Sequence, residues 1–217
     1  MERYRRWMFV VIALSYVISY FHRPTLAVVG PELVSGLGLT PPDIGLVGSA
    51  YFMAYAAGCV PFGYVVDRFG PRKTLLISIL LSALGTVLFA SSSSLAPLAL
   101  GRAVTGFGMS AVAVAAMKIF ATWYRKDQFA TCSGALLAVG NMGALLSTAP
   151  LMLLVSAMGW REAFWVIGLY TLAVSLISYV VIRDKPSDMG YQIDTTQYVT
   201  ADAANVSIPK ALKSIFL

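Results

Sequence analysis

The chain has 217 residues, of which 58% are hydrophobic and 12% charged, and a net charge of +6, with a mean hydropathy of +0.75. Soluble domains carry about 25% charged residues, so this composition excludes an ordinary soluble globular protein, and it is the opposite of what keeps a chain disordered. Two cysteines and one histidine exclude a disulfide framework and a multi-histidine metal site, and no cofactor or metal is expected.

The apolar residues gather in six runs about 20 residues long, the length that crosses a bilayer as helix. They are Trp7 to Val29, Ile44 to Val66, Thr74 to Ala90, Leu95 to Phe120, Phe129 to Met158, and Ala163 to Ile182. Lipid offers backbone groups no partners, so the runs must be helices; the alternation of a β-barrel strand is missing. Turn residues separate the runs: Pro41-Pro42-Asp43, Asp67 to Pro71, Ser91 to Ser94, Arg125-Lys126-Asp127 and Gly159-Trp160-Arg161. Pro24, Pro61 and Pro150 interrupt runs and are expected to kink them. The first run is too long, and too polar at its end, for a cleaved signal peptide.

That first run carries a polar stripe. At about 100° per residue, Ser15, Tyr16, Ser19, Tyr20, His22 and Arg23 share one side, and Leu14, Val17, Ile18 and Phe21 the other. Such a face looks into a bundle or a wet cavity, and an ionisable residue within a span is a functional candidate. The alternative for Arg23 is that it snorkels to the interface, since it lies about 24 Å along the helix from Trp7. Arg102 enters the fourth span at a similar depth. Two guanidinium groups at one level would suit a carboxylate or phosphate; alternatively, Arg102 braces helices through backbone carbonyls. Lys118 lies on a different face from Arg102 and near the span end, where snorkelling accounts for it. No Asp or Glu falls in mid-span, so a carboxylate proton relay is missing, and His22 is the one internal side chain whose unperturbed range lies near neutral pH. In the fifth span Gly134, Asn141 and Thr148 repeat every seventh position beside Ala138 and Leu145, a small-residue seam expected to bring helices together. Asn141 is a further candidate for hydrogen-bonding a substrate.

Basic residues set the orientation. With the N-terminus in the cytoplasm, every Lys and Arg other than Arg23, Arg102 and Arg161 falls on the cytoplasmic side. The basic balance is therefore topogenic and does not indicate a nucleic-acid partner. Residues 1–182 read as a six-helix transmembrane domain, and 183–217 as a cytoplasmic linker and the start of a next element, with both termini inside. The uncapped end at Leu217 favours a fragment of a longer protein.

The cytoplasmic turn between the second and third runs reads Gly63-Tyr-Val-Val-Asp67-Arg68-Phe-Gly70-Pro-Arg72-Lys73. It resembles the G-x-x-x-D-R-x-G-R-[KR] signature of the major facilitator superfamily, with Pro71 before the basic pair. Three further stretches are similar to motifs of that family: Arg102-x-x-x-Gly106-x-Gly108, Gly159-Trp160-Arg161-Glu-Ala-Phe164, and Arg183 to Gly190. The resemblance covers essentially the whole chain. It implies an all-α membrane protein: a six-transmembrane-helix bundle made of two inverted three-helix repeats, which is half of a twelve-helix transporter. Gly70-Pro-Arg72 and Gly159-Trp-Arg161 stand at equivalent turns of the two repeats.

By the same resemblance, Gly63 permits close helix approach. Asp67 faces a helix N-terminus in the other half, where a carboxylate is favoured. Arg68, Gly70, Arg72 and Lys73 belong to a charge latch that breaks when the cavity opens inward. The implied function is secondary transport of a small solute by alternating access in a bacterial plasma membrane. Arg23 and His22 point to an organic anion, and Tyr16, Ser19, Tyr20, Arg102 and Asn141 complete the candidate site. The partners are the substrate, the lipid bilayer and a C-terminal six-helix half, supplied by the same polypeptide, a second chain or a homodimer. The alternative is a six-helix assembly or binding subunit without transport activity. An intramembrane enzyme finds no support, as Gly-x-Ser-x-Gly, His-Glu-x-x-His and paired aspartates are all missing.

Overall fold

A computed structural model describes residues 1–191. The last part of the expected linker and the element expected to follow it, residues 192–217, lie outside the described residues. Helices make up nearly all of the described chain: α1 (Glu2–Phe21), α2 (Thr25–Leu37), α3 (Pro41–Phe69), α4 (Pro71–Ala90), α5 (Leu95–Trp123), α6 (Lys126–Leu146), α7 (Ala149–Met158) and α8 (Trp160–Val181), then a 3-10 turn at Pro186–Met189. There is no strand among the described residues. α1 with α2 and α6 with α7 each form one broken crossing, so the described residues hold six segments long and apolar enough to span a membrane. The first is longer than expected, reaching from Glu2 to Leu37.

Both breaks sit at prolines, which have no N–H to continue the ladder. Pro24 precedes α2, and Pro150 stands in the first turn of α7. At the first break the ladder tightens, with Arg23 N bonded to Tyr20 O at 3.3 Å. At Pro61 α3 continues as one helix without a break.

α5 is the core of the bundle. Its small residues let neighbouring backbones approach: a Cβ on Gly106 would strike the Tyr51 carbonyl of α3, and one on Gly108 the Ser78 carbonyl of α4. Hydroxyls then bridge the helices. Ser82 Oγ donates to Thr105 O at 3.1 Å, Ser175 Oγ to Leu76 O at 2.9 Å, and Ser15 and Ser178 pair at 3.0 Å. The expected fifth-span seam is displaced. Gly134 has no atom within 4 Å of where a Cβ would stand, Asn141 is exposed and Leu145 is 68% exposed. Contact with α1 runs instead through Gly140, against Tyr16 and Tyr20, and Gly143, against the Val17 backbone. A seven-residue repeat specifies a stripe, and two parallel stripes on this helix satisfy it.

The inverted repeat is visible in the backbone. Gly70 (φ 84°, ψ 157°) joins α3 to α4, and Gly159 (φ 90°, ψ 160°) joins α7 to α8. Each ends one helix and caps the next in a conformation that side chains rarely adopt. The arginines two residues on act reciprocally. Arg72, opening α4, donates Nε to Tyr179 O at the end of α8 at 2.8 Å; Arg161, opening α8, donates Nη2 to Ser92 O just past α4 at 3.1 Å.

Candidate functional site

The polar stripe of α1 divides into two parts. Ser15 and His22 turn toward α8, where Ser15 meets Ser178 and His22 Nε2 lies 3.4 Å from Thr171 Oγ1. Both are buried, His22 at 1% exposure. Ser19 is buried as well, and its carbonyl accepts the Tyr51 hydroxyl at 3.3 Å. Tyr16, Tyr20 and Arg23 form the other part. The Tyr16 and Tyr20 rings are 4.9 Å apart. Arg23 Cζ stands 4.0 Å over Tyr20 and 5.1 Å from the centroid of Tyr55 on α3. Its Nη2 donates to the Tyr55 hydroxyl at 3.2 Å. Aromatic faces stabilise a desolvated guanidinium, and Arg23 and Tyr55 both remain partly exposed.

Arg102 is arranged differently. It is 2% exposed and points at the α1–α2 break. Nη1 donates to His22 O at 2.8 Å and to Thr25 Oγ1 at 3.2 Å, and Nη2 to Arg23 O at 3.4 Å. Its Cζ lies 4.5 Å over the Tyr51 ring, while Nε is buried without a partner. A break in a helix leaves carbonyls unsatisfied, and the guanidinium fork supplies donors for them. Arg102 therefore serves the backbone, and Arg23 presents its guanidinium outward. Asn141, on exposed α6, donates Nδ2 to Leu137 O at 2.9 Å within its own helix.

The second group of candidates lies at the end of the bundle that holds the start of α1 and the ends of α3, α5 and α8, called here the basic end. Its parts are tied together: Tyr124 hydroxyl to Arg5 O at 2.7 Å, Trp123 Nε1 to Arg183 O at 3.0 Å, and Tyr4 hydroxyl to Val181 O. Among the described residues, Gly63 has no atom within 4 Å of where a Cβ would stand. Asp67 pairs with Lys118 of α5 at 2.8 Å, and the carboxylate side chain keeps 42% exposure. Arg68 Nη1 donates to the Tyr64 hydroxyl at 2.8 Å. Arg72 is held by Tyr179 of α8 and by Asp184 just beyond that helix, whose Oδ1 accepts the Arg72 backbone N–H at 2.8 Å. Lys73 is exposed.

Several residues of these clusters escaped the sequence. Tyr51 and Tyr55 are one turn apart, a signal for a shared face, yet nothing in the sequence ties that face to Arg23. Lys118 pairs with a carboxylate in place of the expected snorkelling, and that partner lies 51 positions away. Asp184 stood in a motif without an assigned contact.

The sequence profile of the Major Facilitator Superfamily matches residues 12–217. A probable sulfoacetate transporter of Cupriavidus necator is 31% identical over 182 residues, which cover 84% of this chain and 42% of that protein. A probable galactarate/D-glucarate transporter of Escherichia coli is 26% identical over 94% of this chain and 47% of its own length. A membrane sensor protein of Salmonella typhimurium is 28% identical over 87% and 43%. The chain thus spans less than half the length of these curated relatives. Among solved structures, a bacterial homologue of the human lysosomal transporter Spinster, inward-facing and unoccupied, superposes with a TM-score of 0.75 at 18% identity, covering all of this chain and 50% of that one. A D-xylose–proton symporter superposes at 0.68 and 16% identity, over 87% and 50%.

Proposed function

The chain belongs to the Major Facilitator Superfamily, and on that premise we propose that it forms the N-terminal half of a secondary transporter that moves a small organic anion by alternating access. The observation that carries this reading is Arg23. A guanidinium within a membrane-spanning segment is costly and marks a functional candidate. Here Tyr20 and Tyr55 take its faces, which leaves edge donors for a carboxylate, sulfonate or phosphate oxygen. The relatives named for sulfoacetate, glucarate and, in Chlamydia pneumoniae, hexose phosphate have anionic solutes in common. Tyr16, Tyr20, Tyr55 and Arg23 supply this half of the site, with Arg102 behind them.

The second half of the site comes from a C-terminal six-helix bundle, whether in the same polypeptide, a second chain or a second copy. The two halves rock about the solute. In this reading the basic end faces the cytoplasm of a bacterial plasma membrane, and the distribution of Lys and Arg supports it. There Asp67 is shared between Lys118 and the opposing half, and Arg68, Arg72 and Lys73 line the contact. The test is uptake of sulfoacetate, glucarate and hexose phosphate into vesicles holding the full-length protein, with and without Arg23→Ala. Uptake of one of them that disappears in the variant is expected; equal uptake by both removes Arg23 from the site.

A second reading, a membrane protein that binds the anion without moving it, is favoured by the similarity to the sensor protein of Salmonella typhimurium. Anion binding that depends on Arg23, with no accumulation in vesicles, would select it.

A further inference from the structure

We propose that the crevice between α1 and α6 at the basic end holds one glycerophospholipid, its phosphodiester on Arg5 and Arg6 and an acyl chain laid along α1. A cavity of about 560 Å³ opens there, with Glu2, Arg5, Arg6 and Thr131 at its polar wall and Phe9 and Val10 at its apolar wall. Arg5 is set in place by Tyr124: its Cζ lies 5.5 Å from that ring's centroid, and the Tyr124 hydroxyl donates to its carbonyl at 2.7 Å. Paired guanidinium groups suit phosphate oxygens.

The apolar side of the same crevice points to a lipid and not to a free anion. Val10, Leu14, Val17 and Phe21 follow Arg6 up one face of α1, about one turn apart. Val10 is 46% exposed and Leu14 36%. This track ends at a second cavity of about 340 Å³, where Val17 and Phe21 meet Leu146, Pro150 and Tyr170. From Val10 to Phe21 the helix rises roughly 16 Å, about half of the ~30 Å hydrocarbon core. A headgroup site at the basic end thus adjoins an exposed apolar helix face about one leaflet long. A small anion has no use for that face, and an uncharged amphiphile has no use for the two arginines.

The full chain, purified and delipidated, is titrated with phosphatidylglycerol, with diacylglycerol of the same acyl chains, with a short-chain phosphatidylglycerol and with inorganic phosphate. Bound lipid is read by mass spectrometry of the intact complex. Long-chain phosphatidylglycerol is expected to be retained about tenfold or more over diacylglycerol, the worth of a charge-assisted hydrogen bond. It should also exceed the short-chain lipid and resist displacement by phosphate. Arg5→Gln with Arg6→Gln is expected to remove the preference over diacylglycerol. Equal retention of phosphatidylglycerol and diacylglycerol by the unaltered chain overturns the headgroup site, even if the double variant fails to insert. Equal retention of long and short chains overturns the acyl track. Displacement by inorganic phosphate overturns the lipid assignment in favour of a free-anion site.

Discussion

Arg102 reaches across from α5 to hold His22 by its backbone, Nη1 to carbonyl oxygen, at 2.8 Å. The same nitrogen reaches Thr25 Oγ1, and Nη2 reaches Arg23 O. One side chain therefore bridges both sides of the α1–α2 break. Arg102→Ala should strand these acceptors and lower stability by about 3 kcal/mol. Arg102→Lys should recover only part of that loss, since one ammonium does not reproduce the planar fork. Thermal unfolding of the purified chain in detergent measures both; an unchanged midpoint for Arg102→Ala would contradict the brace.

Tyr55 contributes to Arg23 in two separable ways, a ring face and a hydroxyl. Tyr55→Phe should keep the face and lose about 1 kcal/mol of hydrogen bonding, so half-saturation for the transported anion rises by less than about tenfold. Tyr55→Ala should cost more, because the cation then has one aromatic face in place of two. Equal kinetics for the two variants would show that the ring does nothing for the site.

Asp67 and Lys118 face each other across α3 and α5. The carboxylate is 42% exposed, so the pair contributes less than about 1 kcal/mol to folding. The exchange Asp67→Lys with Lys118→Asp should leave thermal stability nearly unchanged. Transport should still fail, because Asp67 is proposed to serve the other half as well. Recovered transport in the exchanged protein would make the pair by itself the gate.

Gly70 and Gly159 share a backbone conformation but not their surroundings. A Cβ at Gly70 would stand 2.5 Å from Asp184 Oδ1, and one at Gly159 3.0 Å from Glu162 Oε2. Both alanine variants should lose about 1–2 kcal/mol to backbone strain. Gly70→Ala should lose more, since Asp184 is held in place as the acceptor for Arg72 N and Glu162 is exposed and free to move. Thermal unfolding that ranks Gly159→Ala below Gly70→Ala would reverse this.

The number of crossings, their helical state and the turn positions were legible in the sequence. These depend on local properties: apolar length against bilayer thickness, the backbone's need for internal partners, and the residues that begin and end helices. The equivalence of Gly70 and Gly159 was legible for the same reason, since a positive φ leaves its mark as glycine. The polar stripe on α1 was legible as a stripe, because periodicity lies within one helix.

Which neighbour each residue of that stripe meets is a property of the packed bundle. Ser15 and His22 close against α8, Tyr20 packs on Gly140 of α6, and Arg23 turns to Tyr55 of α3, although all four lie within one arc in the sequence. Arg102 and Arg23 share a depth and a charge, yet one is consumed by a helix break and the other is left with its edge exposed. The contact seam of α6 lies on Gly140 and Gly143 and not on Gly134 and Asn141, since period alone does not distinguish two parallel stripes. Sequence determined how the chain is threaded, because threading is decided segment by segment. Tertiary structure decided which charge is spent on the backbone and which remains for a ligand, because that depends on carbonyls and rings supplied by helices far away along the chain.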